Sequence, residues 1–388
     1  MNSSQQLVAE VNATLKQFMH MPNDHCYTVN TLWIVHTHLR GHDGSFLPQR
    51  TPRLYFGSKE AGAGKTLGMD LTTQMSHHGE IHVNPTQFAL VTSINVGLGT
   101  NGIDEIDRFF GTRGTTKADI TTVILAGYKR GAFVTRQRND DLERQNVHGP
   151  MVLAGKNLNR FLTAESFETL RTRSIVIPLE RKPKSVHVDK YNSELHEPRL
   201  RALANRLKKW GAHNGRLIVS IDVQDTMDKL GLDNRDEEIW SILFRIAAFL
   251  GGDWPARIEA AARAMVLGEY EQDECPVQSP AEELLTWVRA SFRDNEDFLP
   301  TRILLQRIMS EADSSSWFMR EWRNPMAAAK GLARTLNDVY AITPERATYE
   351  GKQERGYHRE DVGVDDLDND DFDTSIDVDS WDWSLIDN

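Results

Sequence analysis

The chain has 388 residues, more than one compact domain usually holds, and a hydrophobic share of 39% that is enough to build real cores. Its two cysteines, Cys26 and Cys275, stand far apart, which excludes a disulfide framework and a cysteine-based zinc site and fits a reducing cytoplasm. The net charge is −11, yet residues 361–388 hold eleven Asp and no Glu, Lys or Arg, so the body is neutral and nucleic-acid binding is not argued against. No apolar run approaches the roughly 18 residues of a membrane span. The first residues lack the charged and apolar regions of a secretory signal.

In chain order, Leu7, Val8, Val11, Leu15, Phe18 and Met19 recur at helical spacing, and a second apolar helix is expected over Val29–Leu39. Leu54-Tyr55-Phe56 reads as a short buried strand running into a glycine-rich turn, and residues 66–78 resume a helix. Strands are then expected at Phe88–Thr92, Gly102–Asp104, Met151–Ala154 and Ser174–Leu179, alternating with helices. That alternation predicts an α/β fold with a largely parallel, three-layer core. Ala132–Arg138 alternates, turns at Asn139-Asp140-Asp141 and returns through Leu142–Val147, the pattern of a β-hairpin. Residues 197–212 and 235–267 predict a smaller helical domain, and Gln278-Ser279-Pro280 a linker. Residues 281–359 form another small unit, compatible with a winged-helix-like module: two or three helices, then Tyr340–Tyr349 and a Gly351–Gly356 turn. The expected divisions are 1–48, an N-terminal helical segment; 49–185, the α/β core; 186–277, the helical domain; 278–360, the winged-helix-like domain; and 361–388, a disordered acidic tail.

Gly62-Ala63-Gly64-Lys65-Thr66, after a predicted strand and opening a predicted helix, is the strongest chemical signal. Small residues let backbone N–H groups close around phosphate oxygens, and the helix N-terminus adds positive potential. Lys65 would reach the β- and γ-phosphates and the Thr66 hydroxyl would ligate Mg²⁺. Lys59 stands where the P-loop pattern has glycine. A P-loop calls for acids at the end of a neighbouring strand. Asp104 would hold Mg²⁺ through water and Glu105 would polarise the attacking water. The preceding Gly99–Gly102 is polar where a buried strand should be apolar. His36 and His38 have no acid or cysteine at ligand spacing and read as a structural pair.

These motifs, with Leu32–His38, Asp104–Gly111, Gly127–Ala132, Leu170–Ile177 and Gly251-Gly252-Asp253-Trp254-Pro255, resemble the AAA+ ATPases. Within that class the chain looks like a family of uncharacterised domains in phage and mobile-element proteins, often joined to primase or helicase modules. The resemblance spans residues 10–360. It implies an AAA+ P-loop core with a helical lid, ATP and Mg²⁺ as cofactors, and self-association into a ring, a hexamer by that resemblance. It implies a γ-phosphate sensor after Met151–Gly155, either Asn157 or Lys156. Arg173 stands where the family keeps an arginine finger for the neighbouring subunit's nucleotide. Arg235 would be a lid arginine touching the phosphates in cis, or an exposed ion pair.

Ring helicases related to AAA+ grip a strand with a hairpin in this interval, which makes Arg136, Arg138 and Arg144 candidate DNA contacts. The alternative is a structural hairpin whose arginines pair with Asp140, Asp141 and Glu143. In the C-terminal unit, a helix around Ala327–Leu336 could enter a major groove with Lys352 and Arg355 on a wing, or the unit could dock a protein. Trp381 and Trp383 lie among the tail's acids. The tail could dock on a protein partner, occupy the protein's own basic groove, or merely solubilise. The expected function is ATP-driven action on DNA in phage or mobile-element replication, as a helicase-like motor or loader in the cytoplasm of a bacterial host. An ATP-gated DNA-binding or assembly switch with little hydrolysis is one alternative. A protein-remodelling ATPase is another, for which Phe109-Phe110-Gly111 would have to face a pore.

Overall fold

The computed structural model describes residues 2–58, 62–97, 99–110, 115–138, 141–155, 158–163, 165–183, 185–268, 280–293, 296–312, 324–340 and 342–363, with Ser316, Phe318 and Trp322. The chain divides into two compact units, Met1–Pro276 and Val277–Asn388.

The first unit opens with α1 (Ser3–Phe18) and α2 (Asp24–Thr37). Asn2 starts α1 with a capping box, and Asn23 caps α2 by accepting from the Cys26 amide. There follow β1 (Arg53–Ser58), α3 (Lys65–Met75), β2 (Glu80–His82), α4 (Gln87–Thr92), β3 (Asn101–Ile103) and α5 (Thr115–Ala126). The hairpin β4 (Phe133–Arg138) and β5 (Asp141–Asn146) comes next, then β6 (Met151–Gly155), α6 (Leu158–Thr163), α7 (Glu165–Arg171) and β7 (Ser174–Leu179). The unit closes with α8 (Ser193–Ser220), α9 (Gln224–Leu230), α10 (Asn234–Leu250) and α11 (Trp254–Leu267).

Five strands form one parallel sheet in the order β2-β3-β6-β1-β7. β1 is buried along its whole length, so both its faces carry apolar side chains. Phe56 faces Gly68 of α3, while Tyr55 on the other face stacks on Phe161 of α6 at 3.7 Å. Helices therefore cover both faces of a three-layer core. The α3 face is the larger. Leu54, Phe56, Val152 and Ile177 share one hydrophobic cluster with α1, α2, α8, α10 and α11. The segments expected as N-terminal helices, α/β core and helical domain are thus joined by a single core.

One expected strand is corrected in this unit. Phe88–Thr92 is helical, because Thr86 caps α4 by accepting from the Ala89 amide and Phe88 lies exposed. The edge strand is instead β2, three residues that carry no apolar alternation. Gly251-Gly252-Asp253-Trp254-Pro255 makes the corner between α10 and α11. Both glycines take φ of +64°, Pro255 sits in the first turn, and Trp254 is buried beneath the Arg257 guanidinium.

The second unit comprises α12 (Pro280–Ala290), β8 (Phe298–Pro300), α13 (Thr301–Glu311), α14 (Pro325–Tyr340), β9 (Glu345–Tyr349), β10 (Lys352–His358) and α15 (Arg359–Val362). Its antiparallel sheet has the order β8-β10-β9. Lys352–Gly356 is strand rather than turn. The reversal is confined to Glu350-Gly351, both at positive φ. Phe318, Trp322, Leu332 and Tyr357 belong to its core. No described helix of the chain is long and apolar enough to cross a membrane.

His36 and His38 are buried and hold structural bonds, His36 to Thr51 Oγ1 at 2.9 Å and His38 to the Met75 carbonyl at 2.8 Å. Burial pushes each imidazole down to about 3. The fold therefore rejects a proton that the unfolded chain accepts near 6.5. Stability is full above that pH and declines as pH falls toward 3, by about 1.4 kcal/mol per unit for each ring. The urea midpoint should drop between pH 7 and pH 5, and His38→Gln should flatten that dependence.

Candidate functional site

The strands of the main sheet all run one way, so its two ends are chemically distinct. At the C-terminal end, β1 stops at Ser58 and α3 starts at Lys65. Lys59 lies outside the described residues. Gly62 and Gly64 take φ of +80° and +84°, which a side chain would oppose. Gly64 begins α3 without any side-chain cap, and a Cβ there would meet nothing within 4 Å. No side chain caps the start of α3, and a helix N-terminus beside open space presents positive potential, the local requirement for an anion. The Lys65 ammonium donates to Ser58 Oγ, folding back over the turn. Ala63 is buried and Thr66 exposed.

β3 ends two strands away from β1, about 10 Å across the sheet. Asp104 Oδ1 accepts from the Glu105 amide at 2.7 Å. Asp70 of α3 titrates above the usual carboxylate range, through burial first and then through the Asp104 carboxylate. Asp104 therefore faces the helix that Lys65 and Thr66 open. Glu105 adopts φ +52° and ψ +43°, a left-handed conformation costing about 1–2 kcal/mol for a side-chain-bearing residue. Its carboxylate pairs with Arg108. The polar Gly99–Gly102 stretch nevertheless ends in a buried strand. Asn101 Oδ1 accepts from His82 at 2.9 Å and from Ser93 at 2.8 Å. A Cβ on Gly102 would lie 3.0 Å from Ile81 Cγ1 and 3.2 Å from Thr73 Oγ1, so the close packing favours glycine.

Arg181 was not foreseen from sequence. A Cβ on Gly62 would stand 3.7 Å from Arg181 Nε, so this residue, just beyond β7, flanks the glycine turn. Its signal, Glu180-Arg181-Lys182 after an apolar strand, has no distinguishing pattern.

Arg173 and Arg235 lie at the other end of the sheet. The Arg53 amide donates to the Arg173 carbonyl at 2.9 Å, at the start of β1. Five strand residues at about 3.3 Å each separate that level from Ser58. Arg235 donates to the Tyr128 hydroxyl and pairs with Glu238, both at 2.7 Å. Arg50, Arg173 and Arg235 gather around the Tyr128 ring at 5.7, 4.9 and 5.5 Å. The expected contact of Arg235 with phosphates on its own P-loop is therefore corrected: the start of α10 packs on Tyr128, not beside Lys65. A cavity of about 500 Å³ bordered by Tyr128, Lys129, Arg130 and Arg173 opens at this end.

Lys156 and Asn157 lie outside the described residues, immediately after β6. In the hairpin, Arg136 pairs in register with Glu143 and Arg138 with Asp141. The side chains of Arg136 and Arg138 are outside the described set. The Arg144 guanidinium lies 4.6 Å over the Phe133 ring. Phe109 and Phe110 are buried, and Phe110 stacks on Phe167 at 4.9 Å, so neither faces outward as a pore residue would. Among the described residues no group of three or more His, Cys, Asp or Glu side chains gathers as a metal site. A divalent ion held by Thr66, Asp104 and phosphate oxygens would not need one.

The architecture is a mixed α/β protein built on a five-stranded parallel sheet. A family model described as "Protein of unknown function (DUF3631)" matches residues 178–365. A protein of Saccharopolyspora erythraea, named "Uncharacterized 28.9 kDa protein in xis 5'region", is 25% identical over 182 residues, 47% of this chain. The chain covers 64% of that relative's length, just under two thirds.

Replacing Glu105 by glycine removes a side chain from a left-handed position at the loss of a half-exposed ion pair. Glu105→Gly should leave stability undiminished or raise it by up to about 1 kcal/mol in urea unfolding, whereas glycine at most other loop sites lowers it.

Proposed function

We propose that this chain is an AAA+-type ATPase that couples ATP binding and hydrolysis to action on DNA. The observation that carries the reading is the meeting, at one end of a parallel sheet, of the Gly62–Thr66 turn with Asp104 and Glu105. The strand order supports it, with the P-loop strand central and the acid-bearing strand two places away. The left-handed Glu105 adds a second line of support, since strain of this kind collects at functional positions.

ATP would lie against Gly62, Ala63, Gly64 and Lys65, and Mg²⁺ would be held by Thr66 and Asp104. The bound metal would neutralise charge on the transferred phosphoryl group. Glu105 would orient the attacking water by accepting its proton. Arg181 would stand beside the turn in cis. Arg173, about a strand's length from Lys65, could serve only a neighbouring subunit's nucleotide, so the site would be completed by self-association into a ring. Asn157 remains the proposed γ-phosphate sensor.

Action on DNA is supported by the second unit, whose described elements run helix–strand–helix–helix–strand–strand before a last short helix and, with the β8-β10-β9 sheet, resemble a winged-helix plan. Lys330 and Arg334 of α14 and Lys352 and Arg355 of β10 are exposed there. The phage or mobile-element setting, a bacterial cytoplasm and a protein partner for the acidic tail rest on the sequence resemblance and composition. A protein-remodelling role is disfavoured by the burial of Phe109 and Phe110.

Steady-state ATP hydrolysis with and without single-stranded and duplex DNA tests the reading. Lys65→Ala should abolish nucleotide binding. Glu105→Gln should keep binding and lose roughly a hundredfold or more in turnover. Arg173→Ala should bind ATP normally but lose turnover and its dependence on protein concentration. Turnover unaffected by Glu105→Gln would sink the assignment, and binding without turnover in the wild type would favour the ATP-gated switch.

A further inference from the structure

The end of the sheet opposite Lys65 carries two adjoining cavities that share the Arg40 side chain. One, of about 250 Å³, is bordered by Arg40, Phe46, Arg130 and His148 among others. The second, of about 320 Å³, is bordered by Arg40, His42, His77, His78 and Lys208. Among the described residues no Asp or Glu borders either. Asp43, in the adjacent loop, accepts from the Ser45 amide at 3.1 Å and hydroxyl at 2.7 Å and so turns into its own loop.

Arg40 is the informative residue. It is only 4% exposed. Its Nε and Nη1 reach the Thr37 and Gly44 carbonyls at 3.3 and 3.5 Å, and Nη2 has no hydrogen-bond partner. Its guanidinium lies 4.8 Å over the Phe46 ring. Burial lowers its pKa to about 10, so it stays charged at neutral pH. A buried cation with no carboxylate and an unpaired guanidinium nitrogen is unfavourable unless an anion completes it. Buried nitrogens of His77 and His148 likewise have no partner. Lys208 donates to His78 Nε2 at 2.9 Å and is otherwise exposed.

We propose that this trough binds the phosphate backbone of a nucleic-acid strand. The cavities follow one another rather than forming one closed pocket. Arg40 links the two, and Arg130 links the smaller to the Tyr128 cavity, where Lys129 continues the series. A row of separate cations suits a repeating phosphate better than one small anion. The assignment deepens the DNA half of the proposed function and names a surface other than the hairpin. It does not depend on hydrolysis at Lys65.

The test is fluorescence anisotropy of a labelled oligothymidylate with the full chain, without nucleotide, across a salt series. The Lys208→Ala/Arg130→Ala double variant should bind about tenfold or more weakly and reduce the slope of log affinity against log salt by about two. Lys208→Arg should bind like the wild type, and so should Arg201→Ala on the exposed side of α8. Circular dichroism of each variant identifies any loss of fold. Undiminished binding by a folded double variant, or no binding by the wild type, overturns the proposal. Displacement by inorganic phosphate at concentrations equal to the oligonucleotide also overturns it, assigning a small-anion site instead. Hydrolysis is measured separately. Its absence with oligonucleotide binding intact would count against the ATPase reading alone.

Discussion

The first residue of β1 organises the main sheet. Arg53 is fully buried, yet its guanidinium donates twice to the Ile124 carbonyl, at 3.0 and 2.8 Å, and once to that of Gly149, at 2.6 Å. It therefore ties α5 and the approach to β6 to the start of β1, while its amide joins the approach to β7. Burial, with the nearby Arg173, lowers its pKa to about 9, so the group is still a cation at neutral pH. Two carbonyl dipoles, accepting three hydrogen bonds between them, take the place of a carboxylate, which avoids a buried acid whose partner could be lost. Aligning the strands' starts also aligns their ends, because neighbours in a parallel sheet advance at the same rise.

That alignment gives the sheet opposite chemistries at its two edges. Asp70, Asp104, Glu105 and Asp107 collect near the ends of β1, β3 and β6. Arg40, Arg130, Arg173 and Arg235 collect near their starts. A side chain cannot serve both edges, since a strand's length intervenes. The separation is why Arg173 is read as acting on another subunit, and why a strand-binding surface can be proposed without competing for the nucleotide turn. It also gives any coupling between the edges a physical route, through α3 on one face and through the β1–β7 pair.

Much of this was legible where local chemistry decides structure. The apolar runs of β1, β6 and β7, the helical spacing of α1 and α10, and the hairpin alternation all predicted their elements. So did the glycine turn before Lys65. Legibility failed where tertiary contacts override the local pattern. Asn101 and Gly102 form a buried strand because the Asn101 side-chain oxygen accepts from His82 and Ser93 while Ile81 and Thr73 crowd Gly102. Residues 88–92 are apolar enough for a strand, but the Thr86 cap and an exposed Phe88 make them a surface helix. Arg235 follows a capping aspartate at a helix start, which says nothing about which end of the sheet that start will reach. Tyr128 as a hub for three arginines, and Arg181 against Gly62, depend on contacts across 45 to 119 residues of sequence.

Three departures from ordinary packing bear on the two ends of the main sheet. Most of the core satisfies its polar groups and keeps its apolar faces covered. Glu105 holds a conformation that glycine would hold more easily, and Asp70 is driven upward by burial and a neighbouring carboxylate. Arg40 is buried with no counter-charge. These three sit at ends of the sheet; a cation between the acids would relieve Asp70, and an anion beside the guanidinium would relieve Arg40. A stable sequence with no such partner would be expected to remove these residues, since an uncharged side chain at position 40 or glycine at 105 would ease the strain. The two ends would thus serve the proposed function together, with metal-bound phosphate at one and the phosphates of a strand at the other.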